Sequence, residues 1–155
     1  MTLVLCIGIL LLLPLVDLGL KGYIETHISK EQEIPVCKGR VLVRYVQNEG
    51  MALNFMEKHP RLVRWMSLLA VVPMGIYYVV LLGDKGKAAE KISLSLLLGG
   101  AISNLYDRFV RKYVVDYFGF RMKRKYFRDI TYNLGDLGIF AGAIGLLLST
   151  WFHRN

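Results

Sequence analysis

The chain has 155 residues, of which 54% are hydrophobic, and its formal net charge is +8. Its mean hydropathy is positive, at +0.40. This is the length of one domain, but the composition argues against a water-soluble core and indicates a polytopic membrane protein. The basic residues lie beside apolar segments and not in a separate soluble module, so nucleic acid is not an expected partner.

Four apolar segments predict transmembrane helices, because about 20 helical residues cross a hydrocarbon layer of about 30 Å. They are Leu3–Leu20, Leu62–Leu82, Ile92–Tyr106 and Leu134–Phe152. The third is short, which places its lower end close to the interface. The first has no preceding basic residue and no small-residue cleavage site, so we expect it to remain as an anchor. Four spans put both termini on one side and make residues 1–155 a single domain.

Two long loops, 21–61 and 108–133, fall on the other side. The first contains the β-branched run Val41–Val46 and the second contains Tyr113–Val115, so each predicts a strand at the membrane face. The loops and their flanks carry sixteen of the 20 Lys and Arg residues. The positive-inside tendency alone places them in the cytoplasm. A folded surface that contacts anionic phospholipid headgroups carries the same charge on the outside, and headgroup contact is the favoured interpretation.

Metal binding is poorly supported by the sequence. His27, His59 and His153 lack ligand spacing, and there is no Cys-x-x-Cys motif. Cys6 is expected as a buried structural thiol, whereas Cys37 lies in the first long loop. We therefore expect neither a metal site nor a cofactor.

One polar motif lies at the start of the first long loop and a second lies within it, and each has two interpretations. Asp17 and Lys21 are one helical turn apart, so they form either an ion pair that extends to the interface or part of a site. Asn48 and Gly50 follow the first predicted strand. They form either a structural turn or a contact with whatever the loop covers.

The end of the third segment carries a polar face. Asn104, Asp107 and Arg108 share that face of a helix. One interpretation is an interfacial ion pair between Asp107 and Arg108, with Asn104 joining neighbouring helices. The other is a supporting shell in which Arg108 anchors a headgroup or a carbonyl group.

Asn133 directly precedes the fourth segment, and Asp136 follows three residues later, which is typical of a helix N-cap. A glycine pattern then predicts close packing against the third segment. The glycines are Gly138, Gly142 and Gly145, and their expected counterparts are Gly99, Gly100 and Ser103. Such packing would bring Asp136 close to Asp116, which ends the run Tyr113–Val115.

Two neighbouring carboxyl groups can hydrolyse a peptide when one is protonated and the other is ionised around a water molecule. The positive end of a helix dipole favours the charged form of Asp136. We therefore expect Asp136 to be the ionised partner of Asp116 in the resting state.

The order and spacing of these motifs resemble those of the lipoprotein signal peptidase family, the type II signal peptidases of bacteria, over nearly the whole chain. Five segments carry the resemblance: Asp17-x-x-x-Lys21, Asn48-x-Gly50, Asn104-x-x-Asp107-Arg108, Val114-Val115-Asp116-Tyr117 and Asn133-x-x-Asp136. The chain departs from the family pattern at Leu18, at Met51-Ala52-Leu53, at Gly135 where Ala is usual, and in the basic stretch Arg121–Arg128. A glycine at position 135 is expected to loosen the first helical turn.

The resemblance implies a four-helix membrane aspartic peptidase with a small extracytoplasmic β-sheet cradle and a covering loop. Its catalytic pair would be Asp116 and Asp136. The implied supporting residues are Asn48, Gly50, Asn104, Asp107, Arg108, Asn133, Asp17 and Lys21. The implied reaction cleaves a diacylglyceryl-modified prolipoprotein on the N-terminal side of its lipidated cysteine. The implied enzyme is a monomer of the bacterial inner membrane with both termini in the cytoplasm, an orientation that overrides the charge count.

Two other functions remain open from the sequence. The first is a catalytically silent paralogue that binds lipidated peptides, which the departures at Met51 and Gly135 would fit. The second is a small proton-coupled transporter. It is the weaker of the two, because four spans without an internal repeat leave little room for alternating access.

Overall fold

A computed structural model describes residues 1–50, 56–121 and 130–154. Its four helices are α1 Thr2–His27, α2 Pro60–Gly83, α3 Ala88–Val110 and α4 Leu134–Arg154. Its four strands are β1 Ile34–Val36, β2 Val41–Asn48, β3 Val114–Phe120 and β4 Thr131–Tyr132. Met51, Ala52 and Leu53 lie outside the described residues, as does the basic stretch Arg121–Arg128 apart from Arg121 itself.

Three helices are long and apolar enough to cross a membrane. These are α1, α2 and residues Leu134–Phe152 of α4, which confirms the first, second and fourth predicted spans by length and composition. Helix α3 has 23 residues and extends beyond the predicted segment at both ends. Its buried residues include Ser95, Ser103, Asn104 and Asp107. Its polar side chains therefore face the protein, which lowers its hydropathy without shortening the helix.

Helix α3 lies at the centre of the bundle and packs against α1, α2 and α4. The predicted glycine packing between α3 and α4 is confirmed. A Cβ atom at Gly100 would overlap the carbonyl oxygen of Gly135, and one at Gly142 would overlap the carbonyl oxygen of Ser93. Glycines are needed here because the two backbones approach within contact distance.

One part of the packing prediction was wrong. A Cβ atom at Gly99 would meet Leu13 of α1 at 3.2 Å, so Gly99 faces α1 and not α4. Ser103 contacts Asp17 and Lys21 of α1. The reason is geometric, since consecutive helical residues are about 100° apart and only one of two neighbours can face a given helix.

The four strands form one antiparallel sheet in the order β1-β2-β3-β4. The predicted strands at Val41–Val46 and Tyr113–Val115 correspond to β2 and β3, which are longer than expected. Val46 pairs with Asp116 across these two strands. Strands β1 and β2 join through a turn in which Cys37, Lys38 and Gly39 all have positive φ.

A buried apolar cluster attaches the sheet to the end of α1. Its members are Ile24, Ile28, Tyr45, Val115 and Tyr117. Because side chains alternate along a strand, Asp116 lies on the opposite face of β3 from Val115 and Tyr117. The cluster thereby turns Asp116 away from α1 and towards the cavity described below.

Candidate active site

The structure brings Asp116 and Asp136 together through one asparagine. Asp116 lies in β3, and Asp136 lies in the first turn of α4. The Nδ2 group of Asn133 donates to Asp116 Oδ1 at 2.7 Å, and the backbone N–H of Asn133 donates to Asp136 Oδ2 at 3.2 Å. The sequence placed these three residues in one cluster, and the geometry agrees.

Each oxygen of the two carboxyl groups has an N–H donor. Asn48 donates to Asp116 Oδ2 at 2.9 Å, and Asn104 donates to Asp136 Oδ1 at 2.8 Å. The other two oxygens are bonded to Asn133. A carboxylate oxygen accepts more than one hydrogen bond, so these donors orient both groups and leave acceptor capacity for a water molecule.

Asp116 is only 3% exposed. Burial, together with the negative charge of Asp136, raises the pKa of Asp116 to about 7, although hydrogen bonds from Asn48 and Asn133 oppose the shift. Near neutral pH this carboxyl group is thus divided between its protonated and ionised forms. The assignment of Asp136 as the ionised partner stays a prediction.

A buried lysine orients the amide of Asn104. Lys21 Nζ donates to Asn104 Oδ1 at 2.8 Å, which leaves Asn104 Nδ2 facing Asp136. Lys21 also forms ion pairs with Asp17 at 2.8 Å and Asp107 at 3.0 Å, and all three side chains are fully buried. The interpretation as an interfacial pair with an exposed lysine was therefore wrong, because Lys21 turns inward to two carboxylates.

Asp17, which lies in α1, fixes the start of α4 by a hydrogen bond. Its Oδ1 accepts the backbone N–H of Leu134 at 3.0 Å and the hydroxyl of Tyr117 at 2.9 Å. Its Oδ2 accepts the hydroxyl of Ser103 at 2.6 Å. Tyr117 and Ser103 were not predicted to have these roles, although Tyr117 belongs to one of the motifs and Ser103 directly precedes Asn104 of another.

The predicted ion pair between Asp107 and Arg108 does not describe the structure. Asp107 accepts hydrogen bonds from Arg111 and from the backbone N–H of Val115, the latter at 3.2 Å. Arg108 donates instead to the carbonyl oxygens of Asn104 at 3.4 Å and Gly50 at 3.2 Å. Adjacent helical residues point in different directions, so the pairing falls to Arg111, four residues after Asp107.

The Asn48–Gly50 segment serves both of its predicted purposes. Asn48 Oδ1 accepts the backbone N–H of Gly50 at 3.0 Å, which closes a turn. The Nδ2 group of Asn48 donates a hydrogen bond to Asp116, and the Gly50 carbonyl oxygen accepts one from Arg108. The turn therefore connects β2 to both α3 and the carboxyl pair.

The two aspartates line a cavity of about 720 Å³. Its polar end is formed by Asn48, Asn104, Arg108, Asp116 and Asp136, and its apolar end includes Met66, Ala70, Met74, Leu97, Ala101 and Phe140. Helices α2 and α4 both line it, with α3 between them. Arg108 Nε is buried beside this cavity and has no hydrogen-bond acceptor among the described residues.

Gly135 has a packing role. A Cβ atom there would lie 2.9 Å from both Asp17 Oδ2 and the carbonyl oxygen of Gly100. These contacts are tighter than van der Waals distance, and Lys21 and Ser103 hold the Asp17 carboxylate in place. Packing therefore accounts for glycine at this position, and a loosened first helical turn stays a prediction.

The chain is similar in sequence to known proteins over most of its length. The family model for signal peptidase II matches residues 9–152. A protein named lipoprotein signal peptidase from Clostridium acetobutylicum is 34% identical over 142 residues, covering 92% of this chain and 87% of that protein. A protein with the same name from Thermosynechococcus vestitus is 32% identical over 123 residues, covering 79% of this chain and 74% of that protein.

A solved structure described as a bacterial membrane enzyme has the same fold. Its TM-score is 0.81 at 18% identity, and the match covers 97% of this chain and 89% of that one. A second structure with the same description has a TM-score of 0.76. The sequence matches, which extend over almost the whole chain, show that it belongs to the signal peptidase II family.

Proposed function

We propose that this protein is an aspartic endopeptidase that removes signal peptides from diacylglyceryl-modified prolipoproteins, on the N-terminal side of the lipidated cysteine. Family membership and the names of its relatives support the substrate class. The observation that carries the proposal is the sharing of Asn133 by Asp116 and Asp136 at the polar end of an apolar cavity. Those two aspartates are the proposed catalytic pair.

The reaction follows from one protonated and one ionised carboxyl group. Asp136 takes a proton from water as the water oxygen attacks the scissile carbonyl carbon, and Asp116 gives its proton to the carbonyl oxygen. Asp136 then protonates the leaving nitrogen while Asp116 recovers a proton from the tetrahedral intermediate. The carbon–nitrogen bond breaks, and both acids return to their starting forms.

Arg108 is the proposed anchor for the substrate backbone. Its Nε group is buried at the cavity without an acceptor among the described residues, so a peptide carbonyl there would gain a charge-assisted hydrogen bond. The apolar end of the cavity suits an acyl chain or the hydrophobic part of a signal peptide. The six polar residues around the pair (Asn48, Asn104, Asp107, Asn133, Asp17 and Lys21) and Gly50 position it without taking part in proton transfer.

The proposed setting is the bacterial inner membrane, with α3 as the fourth span and residues 1–155 as one domain. Helix α3 is as long as its neighbours and lies between them. Both termini are placed in the cytoplasm and the sheet at the outer surface. We propose a monomer whose outer basic residues contact phospholipid headgroups, which predicts higher activity in membranes rich in anionic lipid.

The experiment that tests the catalytic pair uses Asp116→Asn and Asp136→Asn, with Asp84→Asn as the matched control. Asp84 lies in the exposed turn between α2 and α3 and pairs with Lys87. Cleavage of a purified lipidated precursor is expected to disappear in the first two variants and to persist in the control. All three proteins are expected to remain folded, with unfolding temperatures close to that of the parent.

Full activity in either Asn variant of the pair would contradict the proposal. Tight precursor binding without turnover by the parent protein would instead identify a silent paralogue that binds lipidated peptides. Gly135 no longer favours that alternative, because packing accounts for it, and Met51 lies outside the described residues.

A further inference from the structure

One face of the sheet continues the apolar surface of α4. Residues that pair across antiparallel strands point to the same face. The register pairs Val36 with Val41, Val41 with Phe120, and Phe118 with Tyr132. Phe118 and Phe120 follow Asp116 at alternate positions, so the face that carries Asp116 extends outward as an apolar strip.

Ring contacts join this strip to α4. The ring of Tyr132 lies 6.2 Å from Phe140, 6.1 Å from Phe118 and 6.5 Å from Phe120 between centroids. The rings of Phe118 and Phe120 are 6.3 Å apart. We call this set of side chains the aromatic band, and its members are Val36, Val41, Phe118, Phe120, Tyr132 and Phe140.

Both ends of the aromatic band are exposed. Phe140 is 49% exposed on a helix that is apolar enough to span a membrane, and Ile144, one turn further along that helix, is 57% exposed. At the other end, Phe120 is 45% and Val36 is 36% exposed. An exposed apolar surface that continues the side of a membrane-length helix marks a site of contact with a membrane or with another molecule.

Basic side chains border the outer end of the aromatic band. Lys38 and Arg40 lie in and beside the β1–β2 turn, and Arg121 follows β3; all three residues are exposed. The backbone N–H of Arg121 donates to the carbonyl oxygen of Arg40 at 2.9 Å, which keeps these two residues together. Aromatic rings beside Lys and Arg are typical of the layer where acyl chains meet anionic headgroups.

We propose that the aromatic band lies in this interfacial layer of the bilayer, with phospholipid as its occupant. Val36 and Phe120 contact the upper part of the acyl chains, and Lys38, Arg40 and Arg121 contact anionic headgroups. The sheet is thus anchored in lipid at its free edge as well as by α1. Since Asp116 is two residues from Phe118 on the same face, this anchoring sets the depth of the carboxyl pair relative to the membrane surface.

The test uses tryptophan as a depth probe. Trp65→Phe and Trp151→Phe provide a tryptophan-free background, into which Val36→Trp or Phe120→Trp is introduced. Each protein is reconstituted in phosphatidylcholine and phosphatidylglycerol vesicles with acyl chains brominated near either the glycerol end or the methyl end. Because interfacial side chains sit roughly 5–10 Å into the bilayer boundary, we expect about twofold quenching of both probes by bromine near the glycerol end and weaker quenching by bromine near the methyl end.

Pro35→Trp is the matched control, because Pro35 is exposed and adjacent to Val36 but points to the opposite face of β1. We expect it to be unaffected by brominated lipid. Thermal unfolding of every variant checks the fold independently of peptidase activity, so failure of the catalytic proposal leaves this test intact. The two probes on different strands guard against a local packing defect at either one.

Equal quenching of Pro35→Trp and Val36→Trp would overturn the proposal, as would unquenched probes with water-like emission. Blue-shifted emission that resists quenching but changes with the protein-to-lipid ratio would also overturn it, because another protein molecule would then cover the band. Quenching of Phe120→Trp is expected to be stronger in vesicles that contain phosphatidylglycerol than in phosphatidylcholine alone. Replacing Lys38, Arg40 and Arg121 together by Gln is expected to remove that increase. Persistence of that increase would contradict the headgroup contact.

Discussion

Asn133 and Asp136 hold each other in place. The Oδ1 atom of Asn133 accepts the backbone N–H of Asp136 at 2.8 Å, and a carboxylate oxygen of Asp136 accepts the backbone N–H of Asn133 at 3.2 Å. This reciprocal pair begins α4 as a capping box does. The Asn133 amide also donates to Asp116, so the residue that starts the helix fixes the position of both acids.

Two substitutions of Asn133 distinguish its role as the cap of α4 from its role in positioning Asp116. Ser at this place can still accept the Asp136 N–H but has no amide to donate to Asp116, whereas Ala does neither. We expect Asn133→Ala to lose ~1 kcal/mol more stability than Asn133→Ser. Both are expected to reduce kcat by about 10- to 100-fold through the lost bond to Asp116. Thermal unfolding and precursor cleavage measure the two effects, and a fully active Asn133→Ser protein would refute the positioning role.

The pH dependence of cleavage depends on Asp116. Its pKa lies near 7, and the proposed mechanism needs its protonated form, so kcat/KM is expected to fall as the pH rises through neutrality. The bond from Asn48 stabilises the ionised form and lowers this pKa. Asn48→Ala is therefore expected to move the alkaline limb of the pH profile to higher pH.

Gln47→Ala is the control for that shift. Gln47 is the neighbouring residue in β2, but it bonds to Tyr45 and Lys30 and not to Asp116. The alkaline limb of the pH profile of Gln47→Ala is expected to lie at the same pH as that of the parent. A shift of equal size in both variants would assign the effect to the strand as a whole and not to the Asn48 amide.

Gly135→Ala tests the close approach of α3 and α4. The added methyl group would compress the Gly100 carbonyl and the Asp17 carboxylate, and overpacking of this kind costs about 1–3 kcal/mol. Gly75→Ala, in α2, is the control because nothing lies within 4 Å of its Cβ position. That change should stabilise its helix by up to ~1 kcal/mol. An unfolding temperature for Gly135→Ala above that of the parent would disprove the packing role.

Lys21→Met tests the buried charge cluster. It leaves Asp17 and Asp107 without their shared cation, and removing one partner of a buried ion pair costs roughly 3–5 kcal/mol. Adding Asp107→Asn to this variant should restore part of the loss, since one uncompensated charge disappears. Lys87→Met, at an exposed ion pair, should leave the unfolding temperature unchanged. Denaturant unfolding in detergent measures all three, and a mild effect of Lys21→Met alone would contradict the cluster.

The sequence predicted the meeting of Asp116 and Asp136 because small residues report directly where helices approach. Motif order added the three asparagines and Arg108. The partners of Asp107 were not predictable, since spacing along one helix does not say which neighbouring element each residue faces. Full burial of Lys21 was also not predicted. Hydropathy treats a charged residue as unfavourable to bury, and it contains no information about the carboxylates of Asp17 and Asp107, which lie on different helices and both pair with Lys21.

Some polar residues that join α1 to the rest of the fold form no recognisable pattern in the sequence. Glu25 accepts Arg111 at 3.0 Å and the hydroxyls of Tyr113 at 2.5 Å and Tyr45 at 3.2 Å. Glu25, Tyr45 and the segment that carries Arg111 and Tyr113 lie far apart in the chain and belong to no common motif. Only the docking of the sheet on α1 brings them together.

The central position of α3 has a consequence for how the molecule is assembled. Among the described helices it fails the hydropathy test for a span, yet it supplies Asn104 and Arg108 to the cavity. Its buried polar groups find partners on α1, α2 and α4, so its stability in the bilayer depends on helices made before and after it. Insertion of α3 would then be completed only when α4 arrives, and a chain interrupted before Asn133 would lack a stable bundle as well as its second acid.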